Sequence, residues 1–94
     1  MYTSYVFINA RTGEEGNLVK ELSKMSGVTR VNTLMGKYDA VAILEKETLD
    51  ELFGIVLRNI RSLPSVARTE TLMAASEKML GLLGGVQPSK PKGK

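Results

Sequence analysis

Val28-Thr29-Arg30-Val31-Asn32-Thr33-Leu34-Met35, closed by Gly36, decides the fold, because nearly the same string returns 38 residues later. The second copy is Val66-Ala67-Arg68-Thr69-Glu70-Thr71-Leu72-Met73, closed by Ala74. Both follow the pattern V-x-R-x-x-T-L-M and are rich in β-branched residues, which predicts two strands. At the same offset Leu18 matches Val56, Leu22 matches Ile60 and Met25 matches Leu63. The repeat therefore carries a helix ahead of each strand. Apolar runs precede each helix as well: Tyr5-Val6-Phe7-Ile8, within a strand from Thr3 to Ala10, and Ala40-Val41-Ala42-Ile43-Leu44. The order strand, helix, strand, strand, helix, strand is the split-βαβ, ferredoxin-like arrangement of the α+β class. Right-handed crossovers then place both helices on one face of a four-stranded antiparallel sheet.

Local signals agree with that order. Thr12 or Gly13 is expected to start the first helix, with Glu14 and Glu15 in its first turn, where the helix dipole favours acids. Leu18, Val19, Leu22 and Met25 recur at helical spacing and leave Lys20, Glu21 and Lys24 for water. Ser26-Gly27 ends it. The second helix opens at Thr48 with Glu51 three residues on, a capping-box spacing. Its expected apolar stripe is Leu49, Leu52, Phe53, Val56, Ile60 and Leu63. Gly54 weakens it by about 1 kcal/mol relative to alanine, and Pro64 stops it. Residues 74–83 offer a short helix, and the segment from Gln87 to Lys94 has the composition of a disordered basic tail. The expected organisation is a domain over residues 1–74 and an extension over 75–94.

Ninety-four residues suffice for one domain with a small core. The chain has no cysteine to staple that core and no histidine, the commonest general base at neutral pH. Oligomerisation is the remaining route to stability. The net charge of +3 belongs to the tail, because residues 1–73 hold nine basic and nine acidic side chains. A neutral body argues against a broad footprint for nucleic acid. The N-terminus has no secretory signal and no apolar run reaches a membrane span, so a cytoplasmic protein without membrane contact is expected.

Strands one and three are apolar at both parities: Tyr5, Phe7, Val41 and Ile43 alternate with Val6, Ile8, Ala42 and Leu44. One side of a two-layer α/β domain cannot use all of them. The helix-free face of the sheet therefore needs a cover, and the same face of a second subunit supplies it.

Candidate chemistry concentrates at Leu34-Met35-Gly36-Lys37-Tyr38-Asp39-Ala40-Val41, the turn between strands two and three. Asp39 reads either as a turn aspartate bonded to local amides or as an acceptor for an ammonium group. Gly36-Lys37 is not a phosphate loop, because strands lie on both sides of it. Thr33, Thr69 and Thr71 are explained as β formers, although their hydroxyls can meet a ligand at a sheet edge. Arg30 and Arg68 occupy equivalent places in the repeat and read as solvated strand charges or edge guards, with anion binding the lesser reading. The acid pairs Glu14-Glu15 and Asp50-Glu51 sit at helix starts, where the dipole accounts for them. No catalytic site, metal site or cofactor is expected. The same topology carries RNA-recognition motifs, and Val6-Phe7-Ile8-Asn9-Ala10 is similar to their first strand. Their third strand needs stacking aromatics, whereas here it reads Tyr38-Asp39-Ala40-Val41-Ala42-Ile43.

The element order, the GxxD turn Gly36-Lys37-Tyr38-Asp39 before an apolar strand, and the ending Ser65-Val66-Ala67-Arg68-Thr69-Glu70-Thr71-Leu72 resemble the RAM domain. That is the ligand-binding domain of Lrp/AsnC transcription regulators, and the resemblance covers about residues 1–74. It implies a sheet-to-sheet homodimer, with dimers joining into rings such as a tetramer or octamer, and an amino-acid effector bound near the strand two–three turn. By position, Gly36, Tyr38 and Asp39 would line the effector site, joined by Thr69 and Thr71. The chain starts at the first strand, so it is similar to stand-alone RAM proteins without the helix-turn-helix domain, and no direct specific DNA binding is expected. Two roles follow from the resemblance: an amino-acid sensor in transcription or amino-acid metabolism, or a structural partner that co-assembles with full-length Lrp/AsnC regulators without a ligand.

Overall fold

The computed structural model describes residues 1–74. Its elements are β1 (Tyr2–Ala10), α1 (Glu15–Lys24), β2 (Val28–Thr33), β3 (Ala40–Lys46), α2 (Leu49–Gly54), a π-helical continuation (Ile55–Ile60) and β4 (Val66–Met73). The strands form one sheet in the order β2-β3-β1-β4, and every neighbouring pair is antiparallel. This is the expected ferredoxin-like α+β fold. The two copies of the repeat, β2 and β4, become its two edges. The expected helix at 74–83, the tail and the extension as a whole lie outside the described residues.

Register fixes the faces. Val6 lies opposite Ala42 and Ile8 opposite Ala40 between β1 and β3. These residues, with Leu44, pack against Leu18 and Leu22 of α1 and Leu52, Val56 and Ile60 of the second helix. Burying a leucine of this kind stabilises the fold by roughly 1.5–3 kcal/mol. The opposite parity, Tyr5 opposite Ile43 and Phe7 opposite Val41, forms the helix-free face. Leu72 lies beside Tyr5 from β4. There Tyr5 stays 38% and Leu72 49% exposed. Apolar side chains thus cover both faces of the central strands, and in the single chain the helix-free face stays open at Tyr5 and Leu72 while Val41 is buried on it.

Three local expectations need correction. The first helix starts at Glu15 after Glu14, without a side-chain cap, and Gly13 instead makes the entry turn at φ +85°. Strand β2 stops at Thr33 and β3 starts at Ala40, so Leu34 to Asp39 is a longer connection than a two-residue turn. It is closed by Leu34 N–H donating to Asp39 O at 2.8 Å. The capping residue Thr48 does accept the Glu51 amide at 3.2 Å. The apolar stripe behind it, however, is narrower than expected.

Leu52, Val56 and Ile60 are buried, whereas Leu49 and Phe53 are exposed. Buried residues spaced by four run ahead of a helix with about 3.6 residues per turn. The π-helical segment is underwound, shown by Arg61 N–H donating to Val56 O at 2.9 Å. That underwinding returns the row Leu52-Val56-Ile60 to one line.

Candidate functional site

The β2–β3 turn is bound to the middle of the sheet from two sides. Asp39 N–H donates to Ile8 O at 2.9 Å, and Asp39 Oδ2 accepts from the Ala10 amide at 2.7 Å. Asn9 Nδ2 donates to Lys37 O at 2.8 Å. The aspartate therefore serves an amide distant in sequence, where a turn aspartate was expected to serve local ones. Gly36, at φ +127°, gives the turn a backbone shape that side chains with a Cβ rarely adopt.

Tyr38 lies on the helix-free face. Its ring centroid is 5.2 Å from that of Phe7, Lys37 Nζ stands 5.6 Å from the ring centre, and its hydroxyl donates to Glu70 of β4. Accepting carboxylate and partial burial push the phenol's pKa above its ordinary 10.0, while nearby Arg68 pulls the other way. Alternation along β4 puts Arg68 and Glu70 on this face, opposite Asn9 and Phe7. A cavity of about 340 Å³ opens between Lys37, Tyr38, Arg68, Thr69 and Glu70. Charges of both signs border it.

A larger cavity, about 580 Å³, lies between the π-helical segment and β4, against Arg11, Arg61, Phe53, Leu57, Thr69 and Thr71. The five expected site residues thus divide. Tyr38 borders the cavity at the turn, Thr71 borders the one beside the helix, and Thr69 touches both. Asp39 and Gly36 shape the turn and border neither cavity. Lys37, Glu70 and Asn9 were not singled out in the sequence as ligand-facing residues. The available signal was strand alternation, which places Glu70 opposite in face to its neighbours Thr69 and Thr71. Among the described residues, no group of three His, Cys, Asp or Glu is arranged to hold a metal ion. No helix there is long and apolar enough to cross a membrane.

Comparison with protein families matches the Lrp/AsnC ligand binding domain over residues 3–80. The chain belongs to that family. Among solved structures, TTHA0845 from Thermus thermophilus is 34% identical, with TM-score 0.76 over 81% of this chain and 95% of that one. FFRP-DM1 is 27% identical, with TM-score 0.76 over 80% of this chain and all of the other. The transcriptional regulator NMB0573 from Neisseria meningitidis, solved as a complex with L-Met, is 14% identical. It shares the fold at TM-score 0.72, over 81% of this chain and 51% of its own. Comparison with curated proteins finds no matching sequence. This Lrp/AsnC domain is thus of the regulatory, ligand-binding kind, and its match to TTHA0845 and FFRP-DM1 spans nearly the whole of those chains.

Proposed function

We propose that this Lrp/AsnC domain is a cytoplasmic effector-binding module that recognises a free amino acid and acts by binding and assembly, not by catalysis. The observation that carries the reading is the cavity at the β2–β3 turn, bordered by Lys37, Arg68 and Glu70. A zwitterion needs an acceptor-only group beside positive donors, and these side chains supply both. The L-Met complex of NMB0573 supports an amino acid as the class of ligand. Lys37 and Tyr38 form the turn side of the site and Thr69 the β4 side, while Gly36 and Asp39 hold the turn in shape. Thr71 faces the helix-side cavity. It would join the same site only if the turn of one copy met the groove of another in a ring of dimers.

The incompletely covered apolar face that holds Tyr5, Phe7, Ile43 and Leu72 supports a sheet-to-sheet homodimer. The same face favours a second role, co-assembly with full-length Lrp/AsnC regulators without a ligand. Titration calorimetry with each proteinogenic amino acid separates the two. Saturable heat with at least one amino acid is expected. A wild-type protein that is folded and binds none of them would leave only the co-assembly role.

A further inference from the structure

We propose that the larger cavity, between the second helix and β4, is a separate binding site for a small molecule that carries a phosphate on an apolar, planar body. A nucleoside monophosphate is the chemical class that fits. The cavity lies on the helix side of the sheet, and its ligand does not depend on an amino acid binding at the turn.

The charge at this cavity is one-sided. Residues 1–73 balance nine basic against nine acidic side chains. Arg11, Arg61 and Arg68 nevertheless border the cavity together, and among the described residues no Asp or Glu does. Arg68 also borders the cavity at the turn, which leaves Arg11 and Arg61 as the pair proper to this site. Both stand where the helix hands over to β4. Arg11 N–H donates to Ser65 O at 2.8 Å, and Arg11 Nε donates to Pro64 O at 2.9 Å. These bonds fix the root of the guanidinium and leave its terminal N–H donors for another acceptor. Arg61 follows the π-helical segment directly, with its backbone N–H given to Val56 O at 2.9 Å. Two guanidinium groups on neighbouring segments suit a phosphate, whose oxygens accept paired N–H donors.

The wall along the helix is apolar. Phe53 and Leu57 border the cavity and stay 39% and 56% exposed. The core does not use them, because its row is Leu52, Val56 and Ile60. Phe53 lies about two turns before Arg61, on the order of 10 Å along the helix. Ring and guanidinium therefore serve different ends of one groove. An exposed phenyl ring can stack a planar ligand body. Thr69 and Thr71 border the groove from β4, with hydroxyls that donate or accept. The volume, about 580 Å³, is within the range of small-molecule sites.

Titration calorimetry on the full chain with AMP, adenosine and inorganic phosphate tests both halves of the site. AMP should bind saturably, and at least about tenfold more tightly than adenosine or phosphate. Arg61→Gln and Phe53→Ala should each weaken AMP at least about tenfold. Lys20→Gln removes one positive charge from an exposed position on α1 and should leave AMP affinity within about twofold. Absence of saturable AMP binding overturns the proposal. So does phosphate or adenosine that binds as tightly as AMP, or a loss in Lys20→Gln equal to that in Arg61→Gln. Should Arg61→Gln lose its far-UV circular dichroism, Arg11→Lys decides in its place. That variant keeps the charge without the paired donors, and AMP affinity equal to wild type would overturn the site. A protein that binds no amino acid leaves this test standing, so the two readings fail separately.

Discussion

Asp39 Oδ2 and the Ala10 amide, 2.7 Å apart and 29 residues distant in sequence, tie the β2–β3 turn to the end of β1. A hydrogen bond to a charged acceptor is worth about 1.5–3 kcal/mol, and its loss here also orphans a part-buried N–H. Asp39→Ala should therefore lower stability by about 2 kcal/mol in urea unfolding. Asp39→Asn, which keeps an oxygen of the same reach, should cost less than half of that. Equal stability in all three proteins would show that the bond carries nothing.

Ser4 offers the opposite case. It points from β1 into the helix-side core, fully buried, and its Oγ has no hydrogen-bond partner. An unpaired buried hydroxyl costs about 1–3 kcal/mol by mutational data. Ser4→Ala removes the hydroxyl with little change of volume and should raise stability by about 1 kcal/mol. A clear loss of stability, read from the urea midpoint at unchanged m-value, would mean that the hydroxyl has a partner in solution.

The Tyr38–Glu70 contact predicts the pH response. The phenol's pKa is raised, chiefly by its hydrogen bond to Glu70 and then by burial and the charge of Glu70. Folding thus favours the protonated phenol. This contribution is fully present below the ordinary tyrosine pKa of about 10 and is lost as pH rises through the higher folded value. Glu70→Gln removes the charge and should lower the titration midpoint of the Tyr38 ring resonances. An unchanged midpoint would mean that the two groups do not meet in solution.

The fold was legible because its evidence is redundant. A repeat, two apolar strands, a capped helix at Thr48 and a stop at Pro64 all point to one topology, and a miss at any one of them leaves the others standing. The boundaries at Thr33 and Ala40 were not legible. Leu34, Met35 and Tyr38 have strand character, and the bonds from Asp39 to Ile8 and Ala10, which end the ladder early, join residues far apart in sequence. The π-helical turn was hidden for a similar reason: a four-residue spacing of Leu52, Val56 and Ile60 reads as an ordinary helix until its hydrogen bonds are seen. At the site, single residue types were visible but their faces were not. Thr69, Glu70 and Thr71 form one string, and only the register that sets Phe7 against Glu70 shows which of them meets Tyr38.

The helix-free face carries the last prediction. Tyr5, Ile43 and Leu72 form an apolar row across three strands, with Phe7 and Val41 beside it. In a single chain Ile43 is only partly buried, so Ile43→Lys can direct its ammonium to water along its aliphatic stem, at a cost within about 1 kcal/mol. In a sheet-to-sheet dimer the same lysine sits in a dry interface without a partner, which costs several kcal/mol per ion. Two copies in a symmetric dimer incur that cost twice. The variant should therefore keep its far-UV circular dichroism while light scattering reports monomer, and its unfolding midpoint should no longer rise with protein concentration as the wild type's does. A variant with the mass of the wild-type assembly would place the interface elsewhere. A wild type that is monomeric and stable at micromolar concentration would mean that the apolar row needs no cover at all.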